Sequence, residues 1–239
     1  CYAEQVGWSY VPPSDAVALR KGEGGLFFRR LLEEKLVELN PGLVTSENVG
    51  EVIGRIESVS NTIEGNAEML AWMRGEKCIR DETDHRERHV RVLDFETLEN
   101  NVFHVTEEWQ YTNGQETNRA DVMFLVNGLP VAIVETKSAT REKGIEEGLV
   151  QLREYHHETP EMVTAAQVFD ITHLIDFHYG VTWNLDRKNL FRWSPPDAAE
   201  ESERPSFESR AKSFFDRQRF LTMLKEWILF FTRDDELCK

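Results

Sequence analysis

Arg119-Ala-Asp-Val-Met-Phe-Leu-Val-Asn-Gly-Leu-Pro-Val-Ala-Ile-Val-Glu-Thr-Lys137 reads as two apolar strands around an Asn-Gly turn. Asp121 opens the first strand and Glu135-x-Lys137 closes the second. Two carboxylates and a lysine at the ends of paired apolar strands have little structural use. They do have a chemical one. Carboxylate oxygens hold a hard divalent cation such as Mg²⁺, and a neighbouring lysine can orient or activate a metal-bound water. That combination cleaves phosphodiesters. The bland alternative is a surface ion pair capping a hairpin.

Spacing alone does not choose between them, because Asp/Glu-x-Lys also occurs at Glu33-x-Lys35 and Asp186-x-Lys188. The first lies in a helical run with Phe27, Phe28, Leu31, Leu32 and Leu36, where a Glu and a Lys form an ordinary solvated pair. The second lies in a polar stretch with Asn184 and Asn189 and reads as a turn. Only the third ends an apolar strand that follows another strand carrying an aspartate.

Strand parity adds a test. Glu135 and Lys137 share a face, since side chains alternate along a strand. Asp121 joins them only if it pairs with an odd-numbered residue. A two-residue loop at Asn127-Gly128 would pair it with Val134, on the wrong face. A three-residue loop, Val126-Asn127-Gly128, pairs it with Ile133, so the longer loop with a bulge is the expectation. Pro130 has no N–H to give to a regular ladder, which points to an irregularity there in any case. After the hairpin, Gly148 to Tyr155 reads as a helix with Gln151 and Tyr155 on one face. Facing the carboxylates, they could bond phosphate or sugar oxygens. The plainer reading is a half-buried tyrosine and a surface glutamine.

The run from Asn127 to Lys137, followed by Gln151-x-x-x-Tyr155, resembles the amino-terminal nuclease domain of type I restriction endonuclease R (motor) subunits, within the PD-(D/E)xK nucleases. Asn100-Asn101-x-Phe103, Gly65-Asn66 with Leu70, Trp72 and Gly75, and Tyr179-Gly180 with Trp193 agree with it. The likeness covers about residues 20 to 195. It implies Asp121 and Glu135 as Mg²⁺ ligands, with the Thr136 backbone carbonyl, and Lys137 as the catalytic lysine. Gln151 and Tyr155 become a nuclease-associated pair that positions DNA. Ala120 stands where the motif usually has proline. An upstream acid often completes such sites, and Glu33, Glu34, Glu64 and Glu68 are the candidates.

The whole-chain charge runs against a DNA binder: 28 basic residues meet 43 acidic ones, a net of −15. Between 119 and 155 the signs nearly balance, with Arg119, Lys137, Arg141, Lys143 and Arg153 against six acids. Such a domain should bind DNA feebly alone and rely on a partner for delivery. No apolar run reaches the length of a membrane span. Cys1, Cys78 and Cys238 make no Cys-x-x-Cys, which fits a reducing cytoplasm. A chain that begins with Cys1 reads as a trimmed fragment.

Periodicity predicts helices over 26–39, 62–74 and 144–157, strands over 90–95, 101–111, 119–126 and 131–137, and one or two more strands within 162–183. That order gives an α/β fold, a mixed central sheet flanked by helices, with a restriction-endonuclease-like core over about 90–183 of a 1–193 nuclease domain. Residues 194–209 read as a linker. Residues 210–239 hold one helix, with Phe214, Phe215, Leu221, Leu224, Trp227, Ile228 and Phe231 at helical spacing, expected to pack on a following ATP-dependent translocase domain.

No phosphate-binding Gly-x-x-x-x-Gly-Lys-[Ser/Thr] loop occurs, so this chain is not expected to bind ATP, and the resemblance implies that the full-length subunit requires it. His85 and His89 have helical spacing but no third zinc ligand and read as a solvated face. The reading is a Mg²⁺-dependent endonuclease domain acting on double-stranded DNA. Its partners would be modification (methyltransferase) and specificity subunits and the motor domains of its own subunit. The competing readings are a non-catalytic docking module of the same fold and a stand-alone repair or junction nuclease.

Overall fold

The computed structural model describes residues 2–138, 143–173, 176–195 and 205–239. Arg141 and most of the expected linker lie outside them. The chain opens with α1 (Tyr2–Gln5), β1 (Ser9–Tyr10) and α2 (Pro13–Leu19), whose first helical residue is a proline that needs no N–H partner. In α3 (Arg29–Leu39), Leu32, Leu36 and Leu39 form the buried stripe, and the helix stops at Asn40, ahead of Pro41. Val52, Ile53 and Ile56 are buried in α4 (Val49–Glu57), and α5 (Ile63–Met73) is capped by the Thr62 hydroxyl accepting from the Gly65 N–H. β2 (Cys78–Arg80) and β3 (Glu87–His89) form a small hairpin of their own.

β4 (Phe103–Thr112), β5 (Thr117–Val126) and β6 (Leu129–Thr136) follow as an antiparallel meander. After α6 (Gly144–Glu158) and α7 (Pro160–Thr164), β7 (Val168–His173) returns parallel to β6, as a crossover through a helix requires. β8 (Asp176–Val181) and β9 (Phe191–Arg192) complete a seven-stranded mixed sheet in the order β1-β4-β5-β6-β7-β8-β9. Helices cover both faces. One apolar cluster joins the sheet to α3, α4 and α5, and the other joins it to α2, α6 and α7. The mixed α/β architecture expected from the sequence is present.

Three expectations need correction. Residues 90–95 are not a strand. Val90, Val92 and Leu93 are buried, but side-chain amides serve their backbone instead of a ladder: Asn40 brackets Arg91, Asn127 donates to the Val92 carbonyl, and Asn101 accepts from the Asp94 N–H. The sequence before Val90 supplies the strand instead, and residues 85–89 lie exposed in that hairpin region rather than on a helix.

The tail is not one helix. It runs as α8 (Phe207–Phe214), α9 (Arg217–Thr222), a π turn at Met223–Trp227, and a hairpin of β10 (Phe231–Arg233) and β11 (Glu236–Cys238). Asp216 breaks it by capping α9 through the Arg219 N–H. Ser206 likewise starts α8 inside the expected linker.

Nor is the whole tail left for another domain: much of it packs on this chain itself, while Trp227 and Phe231 stay exposed. Phe214, Phe215, Phe220 and Leu224 are buried in this chain's own core, where Phe215 stacks on Phe124 and accepts a hydrogen bond from the Trp8 indole at 2.7 Å. Lys239 closes the tail. Its buried ammonium donates to Asn66 Oδ1, both Gln167 oxygens and Thr182 Oγ1 at 2.6 to 3.0 Å, with no carboxylate among them.

Asp170 on β7 is the costly residue of this core. It is buried, and neither carboxyl oxygen has a hydrogen-bond partner among the described residues. Burial raises its pKa well above the usual aspartate value. A raised folded pKa gives stability below the unfolded pKa that is lost as pH climbs through the folded one. Asp170→Asn is therefore expected to melt above wild type at pH 8, with the gap closing toward pH 4. A gap independent of pH would refute the assignment.

Candidate active site

The hairpin between β5 and β6 decides whether the carboxylates meet. Its loop has two residues, not three: Val126 pairs with Leu129, and Asn127 and Gly128 take φ of 50° and 86°. Asn127 is held there by giving its amide to Val92 O and Asn101 Oδ1 and accepting from the Val102 N–H. By itself that loop would put Asp121 on the wrong face. A bulge supplies the missing step. Leu125 pairs with Pro130, but Phe124 pairs with Ala132, so β6 has gained one residue. Proline lacks the N–H a regular ladder would use there. Beyond the bulge Val122 pairs with Val134, which sets Asp121 opposite Glu135.

The second half of the site comes from α6. A Cβ on Gly148 would lie 2.6 Å from Ile171 Cγ2, so the missing side chain lets the helix press against β7. Gln151 and Tyr155 follow one and two turns later on the same side. Tyr155 Oη lies 2.8 Å from Glu135 Oε1 and 2.6 Å from Arg119 O, and it receives the Gln151 amide at 2.6 Å. Gln151 also accepts from the Lys137 ammonium. Lys137 Nζ sits 3.1 Å from Glu135 Oε2 and 4.0 Å from Asp121 Oδ2. The structure thus brings Asp121, Glu135, Thr136, Lys137, Gln151 and Tyr155 into one network.

The charges in this network are unbalanced. Glu135 is 0% exposed, and its pKa is pushed up to about 7. Burial is the first cause and the Asp121 charge the second, while Lys137 and the Tyr155 hydroxyl pull the other way. The hydrogen bonds tell the same story. Tyr155 has one proton and two acceptors facing it, Arg119 O and Glu135 Oε1. If Arg119 O takes that proton, Glu135 satisfies the contact only by carrying a proton itself. Burial also raises the pKa of Tyr155, which is 1% exposed and lies within the core.

Two facing carboxylates, one desolvated and short of positive charge, are hard oxygen donors that suit a divalent cation. Among the described residues no three His, Cys, Asp or Glu gather to hold a metal, so none of the upstream candidates joins them. Glu33 and Glu34 pair with Arg29 and Arg30, Glu68 pairs with Lys77, and Glu64 sits in the first turn of α5.

The feature that sequence reasoning missed is the Thr136 side chain. Its hydroxyl donates to Asp121 Oδ2 at 2.9 Å, a contact legible only once the bulge sets the register. A groove of about 670 Å³ runs past the site between Arg119 and Asp121 on β5 and Gln151 and Glu154 on α6. A larger cavity of about 820 Å³ lies elsewhere, by Asn40, Arg74 and Arg91, so chemistry rather than volume marks the site.

Comparison with known proteins gives this geometry a family. A family model described as the N terminus of type I restriction enzyme R proteins matches residues 2–185. The type I restriction enzyme HindI endonuclease subunit of Haemophilus influenzae is 23% identical over 231 residues, covering 89% of this chain and 21% of that protein. The putative MjaVIIIP endonuclease subunit of Methanocaldococcus jannaschii is 26% identical over 147 residues, covering 61% and 14%. The chain spans about a fifth or less of the length of these curated relatives. With the family pattern running from α1 to the segment after β8, the chain belongs to the family of type I restriction enzyme R protein N termini.

Proposed function

We propose that this chain is the Mg²⁺-dependent endonuclease part of a type I restriction R subunit, with PD-(D/E)xK chemistry directed at double-stranded DNA. The observation that carries the reading is the meeting of Asp121, Glu135 and Lys137, within 3.1 to 4.0 Å of the lysine nitrogen, at the end of an apolar hairpin. Asp121, Glu135 and the Thr136 carbonyl would hold the ion. Bound there, Mg²⁺ supplies charge that polarises the scissile phosphate and acidifies water.

The chain's own groups do the rest. Lys137, steadied by Glu135 and Gln151, positions the attacking water and offsets negative charge as the 3′ oxygen leaves. Tyr155, being buried, acts by fixing Glu135, and Gln151 acts by fixing Lys137. ATP hydrolysis belongs to motor domains elsewhere in the subunit. Methyltransferase and specificity subunits supply site choice, as fits an acidic chain with few means of binding DNA alone.

The docked tail removes one argument against a self-standing nuclease, so the test must compare both settings. Supercoiled DNA is incubated with Mg²⁺ and the chain, or with the whole subunit assembled with its partners and ATP. Nicking is expected only in the assembly, and Asp121→Ala should abolish it. Equal cleavage by Asp121→Ala would sink the reading.

Tyr155→Phe offers a subtler check. Removing a hydroxyl that lowers the Glu135 pKa should move the acid limb of the cleavage profile to higher pH. A uniform loss of rate with no shift would make Tyr155 a packing residue only.

A further inference from the structure

Asp121 uses its two oxygens unequally. Oδ2 accepts the Thr136 N–H at 2.8 Å and the Thr136 hydroxyl at 2.9 Å. The same oxygen is the one 4.0 Å from Lys137. Oδ1 takes no hydrogen bond among the described residues. Any residue but proline at 136 would bring the N–H, whereas a hydroxyl on the β carbon is specific to Thr or Ser. Thr136 is exposed at the end of β6, so burial does not explain its choice.

We propose that Thr136 is a positioning residue for the cation site, pinning Asp121 so that Oδ1 is the single oxygen offered to a divalent cation of the Mg²⁺ class. The proposal rests on the reading of Asp121 and Glu135 as cation ligands. Two donors on one carboxylate oxygen fix the plane of the group, because rotation about its last bond gives up both. Asp121 is only partly buried, so these two bonds bear on its orientation. Mg²⁺ demands near-octahedral geometry and commonly takes one oxygen from each of one or two carboxylates, keeping several waters. A carboxylate already fixed in a one-oxygen pose gives up no rotational freedom when the ion arrives.

The test is binding of Mn²⁺, a spectroscopic stand-in for Mg²⁺, followed by electron paramagnetic resonance of the free ion. It uses this chain as wild type, Asp121→Ala, Thr136→Val and Thr136→Ser, with melting curves in EDTA alongside. Thr136→Val is expected to bind about 10-fold more weakly, the low end for losing a residue that supports a ligand. Thr136→Ser should restore the wild-type affinity, and both should melt with the wild type. If Val binds as well as wild type, or Ser as poorly as Val, the hydroxyl has no such role. If wild type and Asp121→Ala bind alike, the cation reading itself fails, and the proposal with it.

Discussion

Glu135→Gln in the assembled complex is expected to cut DNA cleavage by more than about 10²-fold, beyond the 10- to 100-fold typical for residues behind a metal ligand. ATP hydrolysis and translocation should stay near wild type, since under the proposed function this carboxylate serves phosphodiester chemistry alone. The same substitution should stabilise the chain. Glu135 is wholly buried and its pKa rises from 4.5 to about 7. Its contribution to stability is therefore complete below pH 4.5 and is lost as pH rises through about 7. At pH 8 the ionised form costs roughly 3 kcal/mol, and glutamine never incurs it. For a chain of this length that is about 6–12 °C in melting temperature.

The gain should appear in EDTA at pH 8 and vanish near pH 4. Divalent cations should narrow it by stabilising wild type alone. Loss of activity with no pH-dependent gain in stability would mean that Glu135 is not held as an unneutralised acid. Collapse of ATPase activity in a folded variant would undo the separation of cleavage from motor.

Gly128→Ala should be the most damaging single methyl in the hairpin. Gly128 has φ of 86°, where side chains are strained, and a Cβ there would sit 2.7 Å from the Phe28 carbonyl oxygen. The Phe28 N–H donates to the Gly128 carbonyl at 3.0 Å, so the clash strikes the joint between the turn and the start of α3. Backbone strain of this kind costs about 1–3 kcal/mol, and the displaced carbonyl adds to it. Roughly 3 kcal/mol in all would lower the melting temperature by about 6–12 °C. A variant melting within about 2 °C of wild type would show that the turn yields without consequence.

The sequence made some of this architecture plain and hid the rest for identifiable reasons. The helices at 29–39, 63–73 and 144–158 show through because each buries one regular face, and the meander strands because they are apolar runs bounded by turns. The loop between β5 and β6 was misjudged in length although the carboxylates still meet. Parity demanded an extra residue, and nothing local says whether a turn or a bulge provides it. Pro130 was the hint. Residues 90–95 look strand-like because they are apolar, yet their backbone partners are the side chains of Asn40, Asn101 and Asn127, brought from far along the chain. In the tail the apolar spacing survives the break at Asp216, because α8 and α9 bury their aromatic residues in the same core. At the site, Asp121, Glu135 and Lys137 were readable as residue types with a spacing. The hydroxyl of Thr136 and the burial of Tyr155 belong to register and packing, which spacing does not encode.

The bulge at Val131 gives this hairpin something like a reading frame. Loss of Val131 would leave the frame intact, since a plain two-residue turn then sets Asp121 opposite Glu135. One residue added between Pro130 and Glu135 would instead act as a frameshift in space and set Asp121 opposite Val134, with Glu135 on the other side of the sheet. A shorter turn would be the obvious suppressor, but the turn has only Asn127 and Gly128 to give and is fastened to Phe28 and Val102. Tolerated length changes in this segment should therefore include loss of the bulge residue or an irregularity moved along β6, but not a single added residue. Scans for this kind of site would do better to score odd and even spacing together with the turn than to search for a fixed string of letters.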